Sequence, residues 1–520
     1  MGFDFARFPG LDEAYVDWLV HEGAMDGVLH YEKLWRYYQN GMHELDLTTG
    51  GSESSRPYRQ DQEYGLPSRI TGTQTGFYGG ILGGTEAAGV RRKEVVIEND
   101  IAWRIDTMMD FLFGQPVVIS SRAGEAGRRG EIEAILQGVF GANGGVTFFQ
   151  QLALLGSIYG FVDVIVRWGV SAAASEEGGE GGAVFAGPGP KTFMAALERA
   201  KGIFLEAIEA PRSLPVLEEE DYRQVAYYVQ QYWLEHNALS DGEGPVRTAD
   251  RWGRLVSRRK QSHNVEIIGP HWWQRYRDQR LVAEGENRLG VIPVVHIQNM
   301  PLGLRYEGQS DVEPLMPLQD ELNTRLSDRA SRVTFQSFKM YLGKGIEGFE
   351  DRAVAPGRMW STENPEAAIE EFGGDAGSPS EDAHINHVRE ALDKASGVAS
   401  IAAGILKGRI GNLTSAVALK MTLMGVLAKT ERKRQTYGRG IAELSRLVLR
   451  LLDQAGIYPN RPEEREVEIH WPSPLPENLM EKLEEARLKK DLGVPREQIL
   501  KELGYAQFAG EAGTMRRESE

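Results

Sequence analysis

The stretch Ser396–Gly456, SGVASIAAGILKGRIGNLTSAVALKMTLMGVLAKTERKRQTYGRGIAELSRLVLRLLDQAG, constrains this chain more than any other. Its first part is a loop of small residues punctuated by glycine, with two cations, Lys407 and Arg409. From Asn412, Thr414 or Ser415 as N-cap the pattern turns helical, and Gly456 and Pro459 stop it. Val417, Met421, Met424 and Leu427 predict one apolar stripe; Ile441, Leu444, Val448 and Leu451 predict another. Between them lies KTERKRQTYGR, where Lys429, Arg432, Lys433, Arg434 and Arg439 meet only Glu431. That net charge of +4 (five cations less one carboxylate) cannot be buried without partners. At about 1.5 Å per residue such a helix runs roughly 60 Å, about twice the diameter of a small domain. A rod of that length points to support for something larger than one chain.

The 520 residues allow about two to four domains. A hydrophobic content of 41% with 26% charged residues is that of an ordinary soluble protein. No apolar run approaches the ~18 residues of a membrane span, and MGFDFARFPG lacks the features of a signal peptide. Neither insertion nor secretory export is expected. The absence of cysteine excludes disulfides, thiolate metal sites and cysteine nucleophiles, and cytoplasmic assembly fits best. A net charge of −16 argues against a surface that grips nucleic acid everywhere, so any DNA contact is local or weak.

In chain order, LDEAYVDWLVHEG and YEKLWRYYQNGMHEL read as helices, with Leu34, Tyr37 and Tyr38 on one face, and residues 46–92 as an extended arm. EVVIENDIAWRIDTMMDFLFGQPVVISS predicts a short strand, a helix, a stop at Gly114 and a strand after Pro116. Asp100, Asp106 and Asp110 read as solvated or capping carboxylates rather than a metal cluster, because no His or Gly turn completes a ligand pattern. EIEAILQGVF and VTFFQQLALLGSIYG look helical, and FVDVIVRW alternates as a strand. GPGPKT misses a phosphate-binding loop, since Pro190 stands where a Gly is required, and reads as the end of a flexible insertion, 171–190. Lys191 to Ile297 is mostly strand and predicts antiparallel sheet in an α+β domain; Trp272, Trp273, Arg275 and Tyr276 read as sheet faces. DVEPLMPLQDELNTRLSDRASRVTFQSF is a helix with Leu315, Leu318, Leu322 and Leu326 as its apolar stripe and Asn323, Arg325, Arg329 and Arg332 on the remaining surface. Short strands follow to Gly374, then a helix opened by Ser378 or Ser380, with His384 and His387 as surface residues. The tail predicts a strand, a Pro-rich corner and two helices.

Neither a helical His-Glu-x-x-His nor a Gly-x-Ser-x-Gly nor a dinucleotide loop occurs in a supporting context, and no enzyme or cofactor site is expected.

This order of parts resembles the portal proteins of tailed double-stranded DNA bacteriophages. The resemblance rests on LWRYYQNGMHEL, VVIENDIAWRIDTMMDFLFGQPVVIS, LALLGSIYGFVDVIV, RLGVIPVVHIQN with SDVEPLMPLQDELNTRLSDRA, the helix start NLTSAVALKM, and WPSPLPENLMEKLEEARLKKDLGVPREQILKELGY. It covers most of the chain except 46–90 and 171–190. The sequence departs from the family where Thr414-Ser415-Ala416 replaces the usual Ser-Gly, which implies a less tight turn into the helix.

The resemblance implies an α+β portal fold: a wing at 1–308, stem helices at 309–339 and 378–395, a clip at 340–377, a tunnel loop at 396–413, the long wing helix at 414–456 and a crown at 457–520. It implies a homo-oligomeric ring, commonly of twelve subunits, at one capsid vertex of the virion, assembled in the host cytoplasm. Double-stranded DNA passes through such a ring without sequence preference. The implied partners are the terminase large subunit, the major capsid or scaffolding protein and a head-completion neck protein, with no membrane and no cofactor. Ring symmetry would turn Lys407 and Arg409 into two cationic rings beside Ile401, Ile405, Leu406 and Ile410. Arg325, Arg329 and Arg332 are candidates for the stem lining, and Glu347, Glu350, Asp351 and Arg352 for clip contacts with motor or neck. Two other readings compete: a nucleic-acid-processing enzyme with a long helical arm, and a capsid connector without a DNA channel.

Overall fold

The computed structural model describes residues 6–39, 96–168, 189–221, 223–235, 246–249, 255–258, 261–337, 340–344, 364–372, 379–403, 420–475, 479–494 and 499. It is an α+β protein. The chain begins with α1 (Glu13–Trp18), whose last turn widens into a π-helix, and α2 (Ala24–Gln39). Next come α3 (Ala102–Phe113), β1 (Val118–Ser121), α4 (Ala126–Ala142), α5 (Val146–Tyr159) and β2 (Phe161–Trp168). A short α6 (Phe193–Ala200), capped by Thr192, opens the region read as mostly strand. There follow β3 (Ile203–Ile208), β4 (Ser213–Leu217), β5 (Val225–Glu235), β6 (Val246–Ala249), β7 (Leu255–Arg258), β8 (Gln261–Ile268), β9 (Trp272–Arg277), β10 (Arg280–Glu286) and β11 (Val294–Gln298). The C-terminal part holds α7 (Met316–Ser337), β12 (Met340–Lys344), β13 (Ala368–Phe372), α8 (Pro379–Ser396), the long α9 (Met424–Gln454), β14 (Val467–His470) and α10 (Leu479–Asp491).

All described strands pair antiparallel. One sheet has the order β10-β9-β8-β5-β4 and a second the order β11-β2-β3; β1-β14, β12-β13 and β6-β7 form pairs. β2 is the hinge of the packing. Its Val162, Val164 and Val166 join the main core with helices α3, α4, α5 and α9, while Ile165 on its other face meets Ile208, Tyr228 and Ile268 beneath the five-stranded sheet. The strand read as alternating is in fact buried on both faces from Phe161 to Val166, Asp163 included. α5 ends at Gly160 in the left-handed region (φ 94°), where a Cβ would strike the Gly308 carbonyl, so the close return of the 299–311 loop requires glycine there.

Two expectations are corrected. The predicted strand before α3 is, from Val96 on, an extended segment that pairs with no strand among the described residues. It lies along α7, whose Gln319, Asn323 and Ser327 repeat every fourth residue: Val96 N–H donates to Ser327 Oγ (3.0 Å), Glu98 N–H to Asn323 Oδ1 (3.1 Å) and Asp100 N–H to Gln319 Oε1 (3.1 Å). Asn323 is therefore buried, not part of the free surface of α7. In α9 the first predicted stripe is out of phase: Met421 and Met424 are 66% and 61% exposed, while Leu423 and Val426 are buried. The second stripe is buried throughout at Ile441, Leu444, Val448 and Leu451. Residues 404–419, which include the expected start of the helix, lie outside the described residues, as do 46–92 and most of the 171–190 insertion.

Candidate functional site

The cationic block of α9 finds its partners inside the fold. Lys429 Nζ lies 2.8 Å from Asp311 Oδ1 and donates to the Ser396 carbonyl at 2.7 Å. Lys433, wholly buried one turn later, donates to Asp311 Oδ2 (2.5 Å) and to Ser157 Oγ (2.8 Å). Asn299 Nδ2 adds a third donor to the same carboxylate at 3.1 Å, and Asn299 Oδ1 accepts from the buried Tyr437 hydroxyl at 3.3 Å. One carboxylate thus ties α9 to the end of α5, the loop after β11, the entry to α7 and the exit of α8. Burial alone would push the Asp311 carboxyl up, but the two ammonium groups overcome it and hold it well below the usual carboxylate range. Burial pushes Lys433 down to about 8, against the pull of Asp311 and with the help of Lys429. Arg434 lies over Trp471 at 5.4 Å and donates to the Pro472 carbonyl at 2.7 Å. Sequence reasoning asked for such partners without locating Asp311, which sits in DVEP far upstream with no local pattern to mark it.

α7 and α8 pack together as the arms of a helical pair, and β12–β13 form its strand pair. Of the stem candidates, Arg325 bonds Glu321 (2.7 Å) within α7, and Arg329 bridges to Asp382 of α8 (2.9 Å); both are about half exposed. Arg332 lies in α7, with its side chain outside the described residues. His384 of α8 reaches Glu321 at 3.0 Å. Burial would raise the Glu321 carboxyl, yet the bonds from Arg325 and His384 bring it below its ordinary value. At the base of the pair Arg104 joins Asp100 (2.9 Å) and Asp393 (2.6 Å), so Asp100 is a buried ion-pair partner, not the solvated or capping carboxylate expected. Tyr38 donates to Asp106 (3.0 Å). Ile401 packs in a small cluster with Met108, Val398, Leu423 and Val426. Ile405, Leu406, Lys407, Arg409 and Ile410, and Glu347, Glu350, Asp351 and Arg352, lie outside the described residues.

A second polar centre escaped sequence reasoning. Asp163, fully buried on β2, accepts from Ser213 Oγ (2.5 Å), Tyr228 OH (2.9 Å), Tyr306 OH (3.0 Å) and the His296 ring (2.7 Å). The residue types are those of a hydrolytic triad, but the connectivity is not: serine and histidine both bond the carboxylate, and the other ring nitrogen of His296 faces the Tyr306 carbonyl (2.8 Å). No imidazole nitrogen is left to take a proton from Ser213, so the cluster holds strands and loop together rather than activating a nucleophile. One turn of strand further, Arg167 bridges Glu206 (2.9 Å) and Glu266 (2.6 Å) and so ties the two sheets. Among the described residues no group of three or more His, Asp or Glu could hold a metal ion, and no helix is long and apolar enough to cross a membrane.

Comparison with known proteins gives two structural likenesses and one family match. A chain of the virion of a native gene transfer agent particle is 12% identical, with 77% of this chain and 88% of that one covered, at a TM-score of 0.39. A chain of the neck of an empty gene transfer agent particle, computed with C6 symmetry, is 13% identical over the same shares, at 0.40. No curated protein matches. The family model of phage portal proteins, SPP1 Gp6-like, matches residues 199–512, from the end of α6 through the helical pair and the long helix to the tail. That is well over half of the 520 residues, and the chain belongs to the SPP1 Gp6-like family of phage portal proteins.

Proposed function

We propose that this portal-family chain closes, in twelve copies, into a ring at one capsid vertex of a virion, through which double-stranded DNA is packaged and later ejected. The observation that carries the reading is the helical pair α7/α8 with its β12–β13 strand pair, joined at its base to the long helix through Asp311, Lys429 and Lys433. In this reading 309–339 and 378–395 form the stem, 340–377 the clip, 396–413 the tunnel loop, 414–456 the wing helix and 457–520 the crown, with the wing at 1–308. Lys407 and Arg409 touch the DNA backbone weakly, because tight binding through many phosphate contacts would oppose sliding. The clip meets the terminase large subunit and then the neck protein, and the wing meets capsid or scaffolding protein. Negative-stain microscopy of the purified chain is expected to show rings with a central hole. A preparation that stays monomeric under assembly conditions overturns the proposal.

A further inference from the structure

The sheet β10-β9-β8-β5-β4 has one face that is covered along only part of its length. Val229, Gln231 and Trp233 of β5 stand opposite Ile267, Val265 and His263 of β8, so all six share that face. Val229, Val265, Ile267 and Tyr276 pack against Val16 of α1 and Val20 of the π-helical turn after it. The cover ends there: Trp233 is 64% exposed and belongs to none of the four apolar clusters. Between this end of the sheet, the π-helical turn and α2 lies a cavity of about 490 Å³, within the range of small-molecule sites.

Its lining combines apolar walls with acceptors that lack donors. Val20, Val28 and the Trp233 indole supply the walls, and the indole stacks on His263 (4.6 Å between centroids, 23° between planes). His263 Nε2 lies 3.2 Å from Gln231 Oε1, and His21 Nδ1 lies 3.0 Å from the Asp17 carbonyl. Both partners are oxygens that only accept, so each neutral ring carries its proton there and keeps a lone pair on its other nitrogen. Burial and the nearby His21 push His263 below its ordinary value, against the pull of Asp278, which leaves it neutral at pH 7. Asp278 Oδ1 accepts from the His263 backbone N–H at 2.9 Å, and Oδ2 has no partner among the described residues. Asp278 and Gln279 form the β9–β10 turn at φ 47° and 63° with no glycine, a conformation that costs both residues and holds the carboxylate at the cavity.

The charges settle the class of ligand. Asp278 is the one formal charge of the lining at pH 7, and no Lys or Arg belongs to it. Arg277 and Arg280 flank the turn, but Arg277 pairs with Asn264, one residue out of phase with His263, and Arg280 pairs with Arg277, so both stand on the opposite face of the sheet. A phosphate or nucleotide therefore finds nothing to neutralise it. The two imidazoles and the carboxylate also fall short of a site for a metal ion.

We infer that this cavity binds an aliphatic cation, an ammonium or guanidinium group on an alkyl stem. The charge sits between the Trp233 ring and Asp278 Oδ2, and the stem lies along Val20 and Val28. A free polyamine and the Lys or Arg side chain of a partner protein share this chemistry. The inference is independent of ring closure.

Isothermal titration calorimetry of the full-length chain tests it with three probes: 1,5-diaminopentane, N-acetyl-arginine methylamide and, as a neutral match in length, 1,5-pentanediol. Asp278→Asn keeps an Oδ1 for the His263 N–H and tolerates positive φ, so it removes only the charge. Trp233→Ala removes an exposed ring that no apolar cluster uses. A net charge of −16 draws any cation weakly, so the variants carry the decision. The wild type is expected to bind at least one of the two cations and not the diol, and each substitution should weaken that binding about tenfold. The tighter of the two cations identifies the source, free amine or protein side chain. Absence of binding by both cations, equal binding of the diol, or unchanged affinity in both variants overturns the site.

Discussion

Asp311→Asn is the perturbation with the largest expected effect, and the geometry fixes its size relative to its neighbours. The substitution keeps the shape of the side chain but leaves two ammonium groups, Lys429 and Lys433, in a site from which water is excluded. Removing one partner of a buried pair costs about 3–5 kcal/mol, and here one carboxylate serves two cations. Lys433→Met differs: it leaves Asp311 and Lys429 as a neutral pair and removes the group that burial already disfavours, so its cost is about 1–3 kcal/mol, the bonds to Asp311 and Ser157. The double variant should recover part of the loss of Asp311→Asn. Urea unfolding followed by far-UV circular dichroism reads all three. The pH dependence has two arms. The folded Asp311 carboxyl titrates below its ordinary value of 3.8, so its contribution is complete above that pH and is lost as pH falls toward the folded value. Lys433 titrates at about 8 when folded against 10.5 when unfolded, so between these values the unfolded chain holds more protons. Stability should rise there by up to about 1.4 kcal/mol per pH unit, and Lys433→Met should abolish the rise. Equal losses for Asp311→Asn and Lys433→Met would refute the shared-carboxylate argument.

Gly440→Ala places a Cβ 2.5 Å from Ile297 Cγ1 and 2.6 Å from its Cδ1, and should cost about 1–3 kcal/mol in thermal unfolding, partly relieved by Ile297→Val. Gln319→Ala strips the buried Asp100 N–H of its acceptor and Asn323→Ala the half-buried Glu98 N–H; losses of about 1–3 kcal/mol are expected, larger for Gln319→Ala, with faster proteolysis near Val96 as the local readout.

Much of the fold was legible because its elements announce themselves through periodicity: the second half of α9, the helix α5 and the strands β8 to β11 are each set by their own residues. What was not legible is instructive in α9. Its buried face runs Leu423, Val426, Thr430, Lys433, Tyr437, Ile441, Leu444 and Val448, at spacings of three or four throughout. A search for apolar residues loses this track at Lys433 and settles on Met421 and Met424, one phase away. Only the presence of Asp311, contributed from another part of the chain, makes a lysine acceptable on that face. The same holds for Asp163 on β2 and for the polar ladder of α7, where Gln319, Asn323 and Ser327 replace a strand partner. Long-range polar pairing leaves no local signature, so the helix was found and its orientation was not.

That buried pairing also bears on where a ring would touch DNA. Of the five cations in KTERKRQTYGR, Lys429 and Lys433 are committed to Asp311, and Arg434 is largely covered by Trp471 and the Pro472 carbonyl. Arg432 and Arg439 alone face solvent, seven residues apart and so on one side of the helix. The block, whose net charge called for partners in the sequence, is therefore chiefly an internal lock, and the cations at 407 and 409 carry the channel reading. Two kinds of substitution then separate. Lys407→Glu with Arg409→Glu should abolish packaging while leaving the urea midpoint of the purified chain unchanged, whereas Asp311→Asn should lower the midpoint. Arg432→Glu with Arg439→Glu should leave both stability and packaging near wild type. If that exposed pair blocks packaging as completely as the 407 and 409 pair, the path of the DNA runs along the long helix and the channel assignment of the 396–413 loop fails.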